Sequence, residues 1–262
     1  MDNSEPLISI ITVSYNSAET IKDTIQSILN QTYSNIEYII IDGQSKDDTV
    51  AIVKSYESKF LEKGIIYKWI SEQDAGIYDA MNKGLAMANG EIIGIINSDD
   101  WYEIDTVETI INLNTDKVPS IFSGAMNRVT HEKKVYKTLF NQDASNVHNV
   151  MPVNHPATFV SKEVYKQLGG FDTKYKLSAD YDFIFRAFNA KIPFKNTDKV
   201  LVNMRNTGAT GQLKNLWLSA REDYDVQKKN NVKRAFFNYI KKSGFNCLVA
   251  IRDTCVKPIL NG

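Results

Sequence analysis

Within its first hundred residues the chain alternates four times between a short apolar run and a segment with helical spacing. The runs are Leu7 to Val13, Ile36 to Asp42, Ile65 to Ile70 and Glu91 to Ile96, rich in isoleucine and valine. Continuous β-branched runs of this length mark strands buried on both faces, as in parallel sheets. Between them Ile21, Ile25, Ile28 and Leu29 recur at helical spacing, Asp47 to Phe60 reads as a helix, and so does Ile77 to Asn89. Strand–helix alternation of this kind predicts an α/β fold with a mostly parallel, Rossmann-like sheet and helices on both faces. Right-handed crossovers then bring the loops after the strands to one edge. Those loops are Ser14 to Ser17, Asp42 to Asp47, Ser71 to Gly76 and Asn97 to Trp101. All four are polar or acidic, and ligands of open α/β sheets bind at the carboxyl ends of the strands.

The fourth run ends in Asn97-Ser-Asp-Asp-Trp101. Two adjacent carboxylates repel one another, and a hard cation with oxygen ligands relieves that repulsion. A magnesium-type ion held by one or two carboxylates completes its shell with water and phosphate oxygens, so a phosphate-bearing substrate is expected. The competing reading makes Ser98-Asp-Asp100 a cap for a helix starting near Ile104. Beyond that point the alternation fades. A helix to about Leu113 is expected, then a strand at Pro119 to Gly124, a strand pair over Met126 to Phe140, and a long irregular loop from Asn141 to Val153. A short strand at Ala157 to Val160 follows, then a helix at Lys162 to Leu168, an amphipathic helix over Ser178 to Asn189, a strand at Val200 to Met204, and helix from Gln212 onward.

Composition narrows the function classes. The 262 residues carry 31 lysines and arginines against 31 acids, so no global field argues for nucleic acid. The only cysteines, Cys247 and Cys255, make neither a zinc pattern nor a disulfide framework, which fits a reducing compartment. The opening lacks a basic lead before its apolar run, so a secretory leader is not expected, and no run approaches a membrane span. A cytoplasmic location follows. No Gly-x-Gly-x-x-Gly follows the first strand, which excludes the dinucleotide-binding dehydrogenase reading.

Seven motifs in order give the chain a resemblance to the family 2 glycosyltransferases. They are Pro6-Leu-Ile-Ser-Ile-Ile-Thr-Val-Ser-Tyr-Asn16, Ile41-Asp-Gly-Gln-Ser-Lys-Asp-Asp-Thr49, Asp74-Ala-Gly-Ile-Tyr-Asp-Ala-Met-Asn-Lys-Gly84, Asn97-Ser-Asp-Asp100, His155-Pro-Ala-Thr-Phe159, Gly169-Gly-Phe-Asp172 and Ala179-Asp-Tyr-Asp182. The third run looks most like enzymes that build bacterial O-antigen and capsule-type polysaccharides. The resemblance implies the GT-A nucleotide-diphospho-sugar transferase fold, an inverting mechanism and a divalent metal, Mn2+ or Mg2+. It implies donor-nucleotide contacts at Thr12, Tyr15, Asp42, Asp74, Lys83 and Asp99, and metal ligation by Asp100 with Asp99. Trp101 and His155 would face the acceptor, and Asp180 would be the general base. The family's Glu-Asp pair is Ala179-Asp180 here, so the base loses a neighbouring carboxylate. At Asp42 the chemistry suits a UDP- or dTDP-sugar, because the uracil or thymine N3–H needs an acceptor and cytosine offers none to donate. Each residue also has a bland role: Thr12 closing a turn, Lys83 a solvated helix lysine, Trp101 a core ring, His155 and Asp182 structural.

The expected organisation is a glycosyltransferase domain over 1–211, with a nucleotide-binding half at about 6–103 and an acceptor-binding half at about 104–211, followed by a basic helical extension at 212–262. From Leu213 onward ten basic residues stand against four acids, interleaved with Trp217, Phe236, Phe237, Tyr239 and Phe245. A basic helix with an apolar face can lie on an anionic membrane, and an oligomer contact such as a homodimer is the alternative. The expected acceptor is a glycan or lipid-linked glycan at the inner face of the cell membrane. Two other classes remain open on the sequence. One is a sugar-phosphate nucleotidyltransferase, which would want a Gly-rich basic loop where Ser14-Tyr-Asn-Ser17 stands. The other is a nucleotide-sugar-binding protein without turnover.

Overall fold

The computed structural model describes residues 5–205 and 213–251. Strands β1 (Ile8–Ser14), β2 (Ile36–Asp42), β3 (Ile66–Ser71) and β4 (Ile92–Asn97) lie parallel in the order β3-β2-β1-β4. The crossovers are α1 (Ile21–Leu29), the pair α2 (Thr49–Lys54) and α3 (Glu57–Glu62), and α4 (Ile77–Met87). The single helix expected over Asp47 to Phe60 is thus two. Every residue of β1 and β2 is buried, because helices cover both faces. Alternate residues feed two cores. Ile8, Ile10, Tyr38 and Ile40 pack with Ile21, Ile25 and Phe60 on one side, while Ile11, Val13, Ile39 and Ile41 pack with Tyr78 and Met81 on the other. This period-two division is what a strand buried on both faces requires.

The sheet continues into the second half of the chain. β8 (Thr158–Ser161) joins β4 antiparallel, and β6 (Ile121–Val129) joins β8 antiparallel. β9 (Phe194–Arg205) runs parallel to β6, and the two-residue β5 (Trp101–Tyr102) closes that edge against β9. Gly94 is opposite Phe159, whose ring would meet an added Cβ at 2.4 Å, so only glycine admits β8 here. The strand expected at Pro119 to Gly124 and the first member of the pair after it are one strand, β6, with register shifts around Ala125. β7 (Val135–Leu139) is its hairpin partner. The long loop 141–153 carries a 3-10 turn, Ala144–His148. It is tied down by Tyr181 Oη, which donates to the Val147 carbonyl, and by Asn238 Nδ2, which donates to the His148 carbonyl at 3.0 Å.

Helices α5 (Thr106–Leu113), α6 (Lys162–Leu168) and α7 (Ala179–Asn189) complete the body, and α8 (Leu213–Lys229) with α9 (Ala235–Ile251) forms a hairpin against α7. The expected boundary near 211 falls outside the described residues. No helix among the described residues is long and apolar enough to cross a membrane.

Candidate functional site

The four loops after β1 to β4 meet at one edge, and their side chains interlock. Ser17 N donates to Thr49 Oγ1 at 2.8 Å, Ala18 N to Asp47 Oδ2 at 3.0 Å, and Lys46 N to Asn16 Oδ1 at 2.8 Å. Asn16 adopts φ 48°, a left-handed conformation that asparagine tolerates better than most residues. Ser17 Oγ and Ser98 Oγ share a hydrogen bond of 2.7 Å, which links the first loop to the acidic tip.

Asp42 is the hub of this rim. It is 1% exposed, and its carboxylate accepts from Ser14 Oγ at 3.1 Å, Ser45 N at 2.9 Å, Ser45 Oγ, and Ser71 Oγ at 2.7 Å. A carboxylate offers about four lone-pair sites, so the donors from three loops fill it. The acceptor expected to face a base is therefore already engaged. Asp74 stands in front of it: Oδ1 accepts from Gly76 N at 2.9 Å, while Oδ2 lies over Gly43, where an added Cβ would be 2.5 Å away. Tyr15, 60% exposed, closes on the same glycine. The structure thus brings Tyr15, Gly43 and Asp74 together at the mouth, with Asp42 behind them.

Two expected donor contacts have other engagements. Thr12 has no exposed surface, and its hydroxyl accepts from Tyr38 Oη at 3.1 Å inside the core. The residue alternation of β1 turns its side chain into the core, so a donor contact at this position would run through its backbone. Lys83 Nζ donates to the Gln73 carbonyl at 2.8 Å and pairs with Glu72 at 2.8 Å. Its hydrogen bond to Glu72 raises its pKa, and the lysine holds the Ser71 to Gly76 loop to α4.

At the acidic tip the two aspartates differ. Asp99 is partly exposed, whereas Asp100 is 1% exposed, with Oδ1 accepting from Arg205 N at 2.9 Å and a buried Oδ2 that has no protein partner. Burial and then the Asp99 charge push the Asp100 carboxyl well above its usual range. An orphaned buried carboxylate oxygen beside a second carboxylate fits a hard divalent cation, and among the described residues no third acid or histidine completes a metal cage. The donor set suits an ion whose remaining ligands come from a phosphate and water.

Arg205, at the end of β9, holds this tip and was not foreseen. Its Nη1 donates to the Asp99 carbonyl, its Nη2 pairs with Asp23, and its guanidinium sits 4.6 Å from the centre of the Trp101 ring. Asp23 also accepts from Lys133 at 2.8 Å. Burial alone would raise its carboxyl, but the two cationic partners hold it below the usual value. Lys133 lies 5.4 Å from the same indole. Trp101 therefore gives its ring to two cations, a cation–π role rather than the bland core role. A charged residue ending the apolar run Val200 to Met204 was the signal for Arg205.

Asp180 enters from the other half. It begins α7, is partly exposed, and its Oδ1 accepts from Tyr78 Oη at 3.0 Å and from Tyr181 N at 2.9 Å. Burial, then the Asp180 charge, raises the Tyr78 pKa, so the phenol stays a donor at neutral pH. His155 lines one small cavity with Asp180, Phe171 and Tyr165, and burial lowers its pKa, which favours a neutral ring. Asp182 is fully buried between Arg186 at 2.8 Å and Lys229 at 2.9 Å, a structural ion-pair group. A cavity of about 550 Å³ lies elsewhere, between α4, α6 and α7, and is lined by Leu85, Tyr165, Asp182 and Arg186. None of the expected donor residues faces it.

The sheet edge thus gathers Tyr15, Gly43, Asp74 and the acidic tip, and Asp180 reaches Tyr78 from the second half of the chain. The chain belongs to glycosyl transferase family 2, whose model matches residues 9–189. It is 32% identical over 188 residues to an uncharacterized glycosyltransferase of Mycobacterium tuberculosis, covering 70% of each chain. It is 28% identical over 192 residues, again 70% of each chain, to a PGL/p-HBAD biosynthesis glycosyltransferase of Mycobacterium bovis. Among solved structures, Staphylococcus aureus TarS 1-349 in complex with UDP-GlcNAc superposes with TM-score 0.66 at 18% identity, over 84% of this chain and 64% of that one. The chain spans 39% of a longer TarS structure. A mannosyltransferase from Pyrobaculum calidifontis in complex with GDP-Man and Mn2+ gives TM-score 0.64 at 18% identity, over 98% and 78%. The fold is GT-A, and the protein is a glycosyltransferase.

Proposed function

We propose that the protein moves a sugar from a UDP- or dTDP-sugar to a hydroxyl of a lipid-linked glycan, with inversion, in surface polysaccharide biosynthesis at the cytoplasmic face of the membrane. The observation that carries this reading is the 3.0 Å bond from Tyr78 to Asp180. Tyr78 lies in the first turn of α4, directly after the Asp74 loop, so the bond ties a carboxylate of the acceptor half to the donor mouth. The relatives' names and the nucleotide sugars bound by the solved neighbours support the donor class.

In this reading the base stacks near Tyr15 and its N3–H meets Asp74, with Asp42 fixing the loops behind. Asp99 and Asp100 would hold the divalent cation, which when bound offsets charge on the leaving diphosphate. Asp180 takes the proton from the acceptor hydroxyl as its oxygen attacks the anomeric carbon. The bond to the diphosphate oxygen breaks on the opposite face, and configuration inverts. Tyr78 fixes one carboxylate oxygen and leaves the other for the proton. The test is Asp180→Asn. Donor affinity, by calorimetry, should persist, and transfer should fall by about 10²–10⁴-fold, the range of general-base contributions. Turnover within a few-fold of wild type would move the base elsewhere, with His155 the next group to change.

A further inference from the structure

Helix α9 turns two kinds of side chain in opposite directions. Towards α8 it directs Ala235, which is buried, Asn238, which donates to Gln227 Oε1 at 2.9 Å, Tyr239, whose ring is 5.5 Å from that of Tyr224, and Lys242, bound to Asp223 and Ser219. Away from the body it exposes Phe236 at 64%, Phe237 at 65% and Ile240 at 52%. These sit at i, i+1 and i+4, one patch on the helix surface. Exposed Lys233, Arg234 and Lys241 flank it. From Val226 to Arg252 the chain contains no aspartate or glutamate and seven lysines and arginines.

We propose that this face of α9 docks on an anionic lipid bilayer, with Phe236, Phe237 and Ile240 entering the headgroup–acyl boundary and Lys233, Arg234 and Lys241 meeting lipid phosphates. The proposal deepens the lipid-linked-acceptor reading and rests on it for its purpose. Charge complementarity chooses the occupant. The whole chain is neutral, so the attraction is local. A second copy pairing through the same patch about a two-fold axis would set cations against cations. A nucleic acid would engage the cations and leave the two phenylalanines and the isoleucine in water, where a bilayer buries them. Interfacial helices of this composition bind in proportion to buried apolar area and to attraction for acidic lipid.

The test is flotation of the full chain with phosphatidylcholine vesicles, with and without phosphatidylglycerol, comparing wild type with the double variant Phe236→Ser/Phe237→Ser. Both positions are exposed, so the fold should survive, and a melting curve checks it. Wild type should float with the acidic vesicles only, less so as salt rises, because the contacts are screened. The double variant should bind at least about tenfold more weakly, since each ring is a large part of the inserted area. Flotation that is equal for both proteins, or missing for wild type, overturns the proposal. So does a wild-type dimer in sedimentation that the double variant abolishes, or binding of a duplex oligonucleotide that competes with vesicles and survives the double substitution. Turnover of a soluble acceptor by the double variant keeps the transferase reading separate: that reading can fail while docking persists, and the reverse.

Discussion

Glu222 on α8 is the test of how far Asp180, the proposed base, depends on the C-terminal hairpin. Its carboxylate, 6% exposed, accepts from the backbone amides of Lys176 at 2.9 Å, Leu177 at 2.8 Å and Ser178 at 3.1 Å. The neighbouring Asp223 accepts from Ser178 Oγ at 2.7 Å. Ser178 is the residue before α7, and Asp180 is two residues further on. Glu222 is thus a positioning residue for Asp180. Hydrogen bonds to an ionised group contribute roughly 1.5–3 kcal/mol each, and three sharing one carboxylate are far from additive. Glu222→Ala should therefore cost about 2–4 kcal/mol, or on the order of 5–15 °C in melting temperature for a chain of this size. The loop freed by the change leads directly into Asp180, the proposed base. A displacement of about 1 Å there can cost about 10²-fold in rate. Donor affinity should stay within about twofold, because the segment Glu222 holds, Lys176 to Ser178, contains none of the expected donor residues, so the loss should fall on kcat and not on the donor KM. Glu222→Gln keeps the length and one carbonyl oxygen and should recover part of both losses. Melting curves, donor calorimetry and turnover on the same preparations are required. An unchanged kcat alongside a lowered melting temperature would refute the positioning role, and a donor affinity that falls in step with kcat would show general loosening instead.

Three other outcomes are expected. Asp74→Asn should weaken UDP binding by about tenfold at an unchanged melting temperature, whereas Asp42→Asn should lower both, since it breaks the serine-bonded rim; the reverse pattern would return the base to Asp42. Asp99→Ala should remove the dependence of donor binding on Mn2+ while keeping the fold, and full wild-type affinity in the presence of a chelator would sink the metal reading. Glu37 accepts from Ser9 Oγ at 2.6 Å, Lys68 at 2.6 Å and Asn89 N at 2.7 Å; burial works to raise its carboxyl, and these partners outweigh it to bring it down to about 2. A depressed folded value gives stability that is present above the ordinary value of 4.5 and lost as pH falls towards about 2, roughly 3 kcal/mol in all. Glu37→Gln should erase that acid limb from the melting profile, and a variant deficit that stays constant down to pH of about 2 would contradict it.

What the sequence reveals here follows the range of the interaction. β1 to β4, α4 and α7 are written in side-chain periodicity over a few residues, and their ends fall within a residue or two of where spacing and turn formers put them. β6 and β9 are not, because their length is set by pairing with each other across some seventy residues, with register shifts that no local pattern encodes. The site divides the same way. Asp42, Asp99, Asp100 and Asp180 stand out as acids at the ends of strands or the start of a helix. Nothing local says that three serines from separate loops fill the Asp42 carboxylate, or that Arg205 crosses 105 residues of chain to hold Asp100.

The C-terminal hairpin shows how a compositional boundary can mislead about function. Cut at 212, it reads as a basic appendage, and its acids look like dilution of the charge. Yet Glu222 and Asp223 are placed where the loop into α7 presents backbone amides and a hydroxyl, and Lys229 reaches Asp182 within α7 itself. Three acids clustered in α8, Glu222, Asp223 and Asp225, were the available signal: a segment selected only for positive charge has no use for them. The same helix pair therefore faces two ways. Glu222 and Asp223 fix the turn into α7 on the inside, while the exposed apolar and basic residues of α9 lie outside. If that outer face docks on a bilayer, one hairpin carries both the docking surface and the carboxylates that hold the loop into α7.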